Sequence, residues 1–264
     1  VLKRGLCAVS ALVSLLLTSS PVLAATAPPL GSTNTYGLVS STTTVTTSTT
    51  VNGNVCYTTA PVTPLSIFSG TILVPCGSQI ADQSAALANI NGQPCVSLGV
   101  GVVALEAVVV GLNPPGTFPP GCYVSGGAMN ITLNTSVTLL GAGVFIFRSG
   151  AAMTTGAGAS IVLNGPTAND VFWAPTSTTT LGAGTAFVGT IIDDAGIILG
   201  AGSTLSGRAL AAGGTVTTNS STITSPTLPT PAPVSAPTLA EWGMITFAFL
   251  ILGVGMYQQR RRQI

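Results

Sequence analysis

Short stretches of this chain alternate apolar and small polar residues with a period of two. Thr185-Ala186-Phe187-Val188, Ser203-Thr204-Leu205-Ser206 and Ser221-Thr222-Ile223-Thr224 are the clearest cases. Such alternation marks strands with one buried face. Placing Phe187, Leu205 and Ile223 inside sends Ser160, Ala186, Thr204 and Thr222 outward in one column. Val162, Val188, Ser206 and Thr224 stand beside them. A second face, with Leu181 and Leu199 inside, displays Thr154, Thr180, Ile198 and Thr217. Gly-Ala-Gly recurs at Gly141, Gly156, Gly182 and Gly200, so the strands belong to a repeat of stacked coils. The period breaks once. Asp82 to Ile90 is rich in helix formers, which predicts a helix over about 79–91 that Pro94 terminates.

Composition strengthens the all-β reading and narrows the chemistry. Only 5% of residues are charged and histidine is absent, while 46% are hydrophobic. Acid–base catalysis and metal binding lack their usual reagents, and burial offsets the entropy that would leave a Thr/Gly-rich chain disordered. Between residues 25 and 235 only Arg148 and Arg208 are basic, which disfavours nucleic acid as a partner. Solvent-facing strands usually carry charges that keep their edges apart. Columns without Lys or Glu therefore suit a neutral, extended, periodic partner.

The two ends read as addresses. Lys3 and Arg4 precede an apolar run from Leu6 to Leu17, and Val22-Leu23-Ala24 has the small residues of a cleavage site, so residues 1–24 are expected to be a signal peptide. The exported part then keeps Cys56, Cys76, Cys95 and Cys122. These four allow three pairings, of which Cys56–Cys76 with Cys95–Cys122 closes the smaller loops. After the domain expected over 25–226 come a Pro/Thr linker, 227–237, and a segment, 238–264. There Pro237-Thr238-Leu239-Ala240-Glu241-Trp242-Gly243, an apolar run to Tyr257 and Arg260-Arg261-Arg262 occur in order. That order resembles bacterial C-terminal sorting signals processed by exosortase-type transpeptidases, and also reads as a short membrane anchor with a positive cytoplasmic end. Either implies a protein exported to the cell surface, or released from it.

From Leu30 to about Thr224 the chain resembles the bacterial and fungal ice-binding proteins. The carrying segments are Pro120-Gly121-Cys122-Tyr123, Val144-Phe145-Ile146-Phe147-Arg148, Asn169-Asp170-Val171-Phe172-Trp173, Phe187-Val188-Gly189-Thr190-Ile191 and Ser206-Gly207-Arg208-Ala209-Leu210-Ala211. The resemblance implies a right-handed discontinuous β-helix (β-solenoid) with one α-helix packed alongside. It also implies adsorption to ice through a flat face, with no cofactor. Some members carry a Thr-Gly/Ala-x-Thr/Asn motif. The aligned tetrads here are Ala183-Gly184-Thr185-Ala186, Ala201-Gly202-Ser203-Thr204 and Asn219-Ser220-Ser221-Thr222. Register and motif together nominate Ser160, Thr185, Ala186, Ser203, Thr204, Ser206, Thr222 and Thr224 as the ice-binding set.

Two other classes compete. A polysaccharide-cleaving β-helix needs paired carboxylates, but Asp193 and Asp194 are adjacent and in a strand point to opposite sides. Arg148 and Arg208 read as structural, each closing a turn or pairing with an acid such as Asp170. A cell-surface adhesin or structural envelope solenoid fits the same composition and differs by having no effect on ice.

Overall fold

The computed structural model describes residues 24–61 and 67–226. The expected signal peptide, except Ala24, and the expected linker and sorting segment lie outside them. Every strand pairing is parallel, and the strands stack in three columns that form the faces of a β-solenoid. Face A consists of short strands such as Met153–Thr155, Thr179–Leu181 and Ile197–Leu199. Face B is built from Ser136–Leu140, Ser160–Asn164, the first residues of Ala186–Ile192 and of Thr204–Thr218, then Thr222–Thr224 and Thr50–Asn52. Face C contains Gly121–Ser125, Phe145–Ser149, Val171–Pro175 and Asn54–Tyr57.

Alternation fills the interior. Phe118, Phe147, Trp173 and Phe187 are all buried and follow one another along the axis. Phe147 and Trp173 stack at 4.3 Å, and Trp173 meets Phe187 at 4.9 Å. Such ring pairs add roughly 0.5–1.5 kcal/mol beyond the area they bury. The next coils carry smaller inward residues, Leu205, Ile223 and Val51, all fully buried.

Spatial order departs from chain order. Strand Tyr36–Val45 pairs on one side with the late strand Thr204–Thr218, Leu38 opposite Ala209, and on the other with Asn54–Tyr57. The N-terminal coils thus extend the stack beyond its C-terminal ones. From Ile72–Leu73 at that end, helix α1 (Ser78–Gly92) carries the chain back along face C to Val96–Gly99 at the other. Its bounds lie close to the expected 79–91, and Pro94 favours the extended backbone seen at Gln93. Fifteen helical residues span roughly 22 Å. Disulfides Cys56–Cys76 and Cys95–Cys122 fasten the segments flanking the helix to the sheet. Between them Ala86 and Ile90 join a second apolar layer with Val39, Ile146, Phe172, Ile192 and Leu210 of face C. Gln83 is fully buried in this layer. Its amide donates to the Asp194 carboxylate at 2.7 Å and accepts from the Ala212 N–H at 3.0 Å.

The Gly-Ala-Gly repeat marks the corner between faces A and B at three of its four occurrences. A Cβ on Gly182 would lie 2.6 Å from the Gly156 carbonyl carbon, and one on Gly200 2.6 Å from the Leu181 oxygen, so the first glycine permits close stacking of coils. The second has φ near +65° at Gly158, Gly184 and Gly202, and Asn134 and Ser220 take the same left-handed place in flanking coils. Gly141-Ala142-Gly143 departs from the expectation. It forms the corner between faces B and C, against Pro120.

Arg208 takes the first of its two expected structural roles, closing turns rather than pairing with an acid. It is fully buried and donates to Asn34 O and Oδ1, Asn169 Oδ1 and Thr190 Oγ1, all neutral oxygens. Burial lowers its pKa to about 10, which leaves it cationic at neutral pH. Asp170 instead caps its own turn, accepting from the Thr167 N–H and hydroxyl. Arg148 donates to the Gln93 carbonyl at 3.2 Å, closing the exit from α1.

Candidate functional site

Face B carries two outward residues per strand. Ser136 pairs with Ser160, Ser160 with Ala186, Ala186 with Thr204, Thr204 with Thr222 and Thr222 with Thr50. These form the first column. The second contains Thr117, Thr138 and Val162, then Val188, Ser206, Thr224, Asn52 and Ser69. Neighbours within a column stand about 4.8 Å apart and the two columns roughly 6.7 Å apart. The result is a two-dimensional grid of methyl and hydroxyl groups on a rigid parallel sheet.

Of the nominated residues, Ser160, Ala186, Thr204, Ser206, Thr222 and Thr224 point outward on this grid. Thr185 and Ser203 do not. They are 1% and 0% exposed, so their nomination as contact residues is corrected. The strand period explains this: a residue one step before an outward one faces the interior. Thr185 Oγ1 lies 2.9 Å from Thr155 Oγ1, and the Ser203 hydroxyl donates to Ser221 Oγ at 3.4 Å.

Reading the sequence for this site overlooked the N-terminal rungs. Thr47-Ser48-Thr49-Thr50 repeats the tetrad pattern with threonine leading, yet lies far in sequence from the other three. Thr47 Oγ1 donates to Asn219 Oδ1 at 2.7 Å and lies 2.7 Å from Ser220 Oγ, which joins the corner of this rung to its neighbour. Asn52 Nδ2 donates to Thr224 Oγ1 at 3.4 Å, and the Ser69 hydroxyl donates to Asn52 Oδ1 at 3.3 Å. Hydroxyls stand at Thr117, Ser136 and Thr138 and again from Thr204 to Thr50, and the apolar residues Val162, Ala186 and Val188 lie between them. Val162 and Leu140 are both exposed, and hydroxyls and one amide fill the rungs from Thr204 to Asn52.

Face A is the competing surface. Ala104, Asn130, Thr154, Thr180, Ile198, Thr217 and Thr44 align there in one outward column. Its strands are mostly three residues long or shorter, so each has one central outward position rather than two. Ile198, 40% exposed, interrupts the polar run. Face C is covered by α1.

Neither open face carries charge in its outward columns. Asp82 lies on α1, Arg148 on face C and Asp170 in its capped turn; Arg208 and Asp193 are buried. The Asp193 carboxylate accepts from the Thr179 hydroxyl and from the Ala195 and Gly196 N–H groups, and burial raises its pKa above the usual carboxylate range. Asp194 turns outward to Gln83, so the two acids share no site. Among the described residues no group of three or more His, Cys, Asp or Glu is placed to hold a metal. What this surface offers is a fixed pattern of methyl and hydroxyl groups without formal charge.

Comparison with known proteins identifies the relatives of this chain. An ice-binding protein of Nostoc sp. (strain HG1) is 32% identical over 158 residues, which span 58% of this chain and 56% of that protein. Among solved structures, an ice-binding protein from an Antarctic biological consortium superposes with a TM-score of 0.66 at 25% identity, covering 76% of this chain and 92% of its own. One from an Antarctic Flavobacteriaceae bacterium superposes with a TM-score of 0.67 at 26% identity, over 81% and 52% of the two chains. The family model described as ice-binding-like matches residues 31–224, which covers the solenoid and its helix, and the chain belongs to that family.

Proposed function

We propose that this protein adsorbs to ice through face B and inhibits ice growth or recrystallisation. The supporting observation is the charge-free grid of two outward columns, read together with family membership. The mechanism is physical. Methyl and hydroxyl groups at fixed spacing order the first water layer, and a rigid sheet loses little entropy when it docks. Ice advancing between adsorbed molecules becomes curved, and further growth becomes less favourable. The contact set is Ser160, Ala186, Thr204, Ser206, Thr222 and Thr224, extended by Thr50 and Asn52.

The N-terminal apolar run and the C-terminal Trp-Gly, apolar and arginine segments support export to the cell surface, with exosortase-type processing or membrane anchoring of the tail. Among the described residues no helix is long and apolar enough to cross a membrane. Ice-shaping microscopy on the purified protein tests the function. Faceted crystals and slowed recrystallisation are expected. Unshaped crystals at high protein concentration contradict the reading and favour an adhesive or structural solenoid.

A further inference from the structure

Behind face B runs a second column of hydroxyls that never reaches solvent. Thr185, Ser203, Ser221 and Thr49 are at most 1% exposed, and each immediately precedes an outward residue of the first column: Ala186, Thr204, Thr222 and Thr50. Each also closes a corner tetrad, following the left-handed residue in the coils of Gly184, Gly202 and Ser220. Their bonds cross between coils and return to the corner backbone. Thr185 Oγ1 pairs with Thr155 Oγ1 at 2.9 Å, and Thr155 Oγ1 accepts from the Gly182 N–H at 2.9 Å. Ser221 Oγ accepts from Ser203 at 3.4 Å and from the Asn219 N–H at 3.3 Å. It also lies 3.2 Å from the Gly200 carbonyl and 3.0 Å from that of Asn219. The Thr49 hydroxyl lies 3.0 Å from Thr218 Oγ1.

We infer that Thr185, Ser203, Ser221 and Thr49 are positioning residues of the ice-contacting face: they touch no ice, and they set the height and tilt of the first outward column. The inference rests on the assignment of face B as the adsorbing surface. Main-chain bonds such as Ser203 N–H to the Gly200 carbonyl at 3.1 Å close each corner, and the buried hydroxyls brace it from inside against the neighbouring coil, Thr185 on the Gly156 carbonyl and Ser221 on that of Gly200. Adsorption to a lattice requires many groups to match at once, so a small tilt repeated along the column misplaces every contact together. The fold itself does not require a hydroxyl here. Ala159 occupies the same place before Ser160, 1% exposed, and Thr185 shows that threonine also fits.

The test compares two double variants of the full chain, Ser203→Ala with Ser221→Ala and Ser203→Thr with Ser221→Thr, against Thr204→Tyr. The readouts are thermal hysteresis and the pattern of labelled protein on a single-crystal ice hemisphere. Circular dichroism near 0 °C verifies that every variant is folded. The alanine pair is expected to reduce hysteresis by roughly twofold or more and to blur the bound plane, while the threonine pair retains both, as loosening of a supporting shell implies. Loss with Thr204→Tyr and undiminished activity of the alanine pair overturns the positioning role alone. Equal loss in the alanine and threonine pairs also overturns it, because the hydroxyl is then irrelevant. Unchanged activity of Thr204→Tyr overturns the assignment of face B and this inference with it.

Discussion

Replacing Arg208 with lysine separates charge from geometry at the point where the out-of-order stack closes. Arg208 Nε donates to Asn34 O at 2.9 Å, Nη2 to Asn34 Oδ1 and Asn169 Oδ1 at 3.0 Å each, and Nη1 to Thr190 Oγ1 at 3.3 Å. One guanidinium thus ties the N-terminal entry turn, the Ala168–Asp170 turn and strand Ala186–Ile192 to the strand that carries it. A lysine keeps the cation but offers a single nitrogen, which cannot span oxygens arranged around a planar fork. Two of the four bonds are lost. Charge-assisted bonds at about 1.5–3 kcal/mol each put the cost of Arg208→Lys at about 3–6 kcal/mol. For a domain of this size that lowers Tm by on the order of 10 °C. Differential scanning calorimetry measures the shift, and limited proteolysis reports loosening of residues 24–35. A Tm within about 2 °C of the parent would show that the planar fork is not what holds this closure, since buried donors and acceptors cannot be that cheap to leave unpaired.

Asp193 and Asp82 act on stability with opposite pH signs. Burial raises the Asp193 pKa, so its contribution is full below the ordinary carboxylate value of 3.8 and fades as pH rises through the raised value. Asp193→Asn is expected to remove that loss, visible as a Tm difference from the parent that grows as pH rises from about 3.8 through the raised value; a difference that stays constant throughout refutes it. The hydroxyl and N–H of Ser32 lower the Asp82 pKa, so its contribution is present above the ordinary value and lost as pH falls. Disulfides spanning 20 and 27 residues each restrict the unfolded chain by about 3 kcal/mol. Paired Cys→Ala replacement of either bridge should lower denaturant stability by that order, and an unchanged midpoint argues against fastening of α1. Gly182→Ala places a Cβ 2.6 Å from the Gly156 backbone and should cost more, by chemical denaturation, than Gly101→Ala, whose Cβ meets nothing within 4 Å and which needs no left-handed backbone. Equal costs would refute the stacking role of the corner.

Most of the architecture was legible because its signals are local. The alternation around Phe187, Leu205 and Ile223 fixed which residues face solvent, the helix formers between Ser78 and Gly92 stood out, and short loops favoured the cysteine pairing that the structure contains. What escaped was non-local or turned on position within a corner. The insertion of Tyr36–Val45 beside Thr204–Thr218 brings Thr50 next to Thr222, which alternation alone does not reveal, although the Thr47 to Thr50 tetrad was a clue. Thr185 and Ser203 were nominated by likeness to a motif, while the strand period that sends Thr204 outward sends them inward. Gly141-Ala142-Gly143 shares the letters of the repeat but turns a different corner. Arg208 closes turns, one of the two roles its isolation in the sequence allowed, and its partners are neutral because its position between coils faces main-chain, amide and hydroxyl oxygens.

We propose that face B, rather than face A, meets ice. Thermal hysteresis of Thr204→Tyr and Thr180→Tyr, measured side by side at equal concentration on folded protein, tests it most directly. Each variant raises one bulky ring from the middle of one open face. Thr204→Tyr is expected to lose most of the activity and Thr180→Tyr to keep it; loss confined to Thr180→Tyr would assign the contact to face A instead.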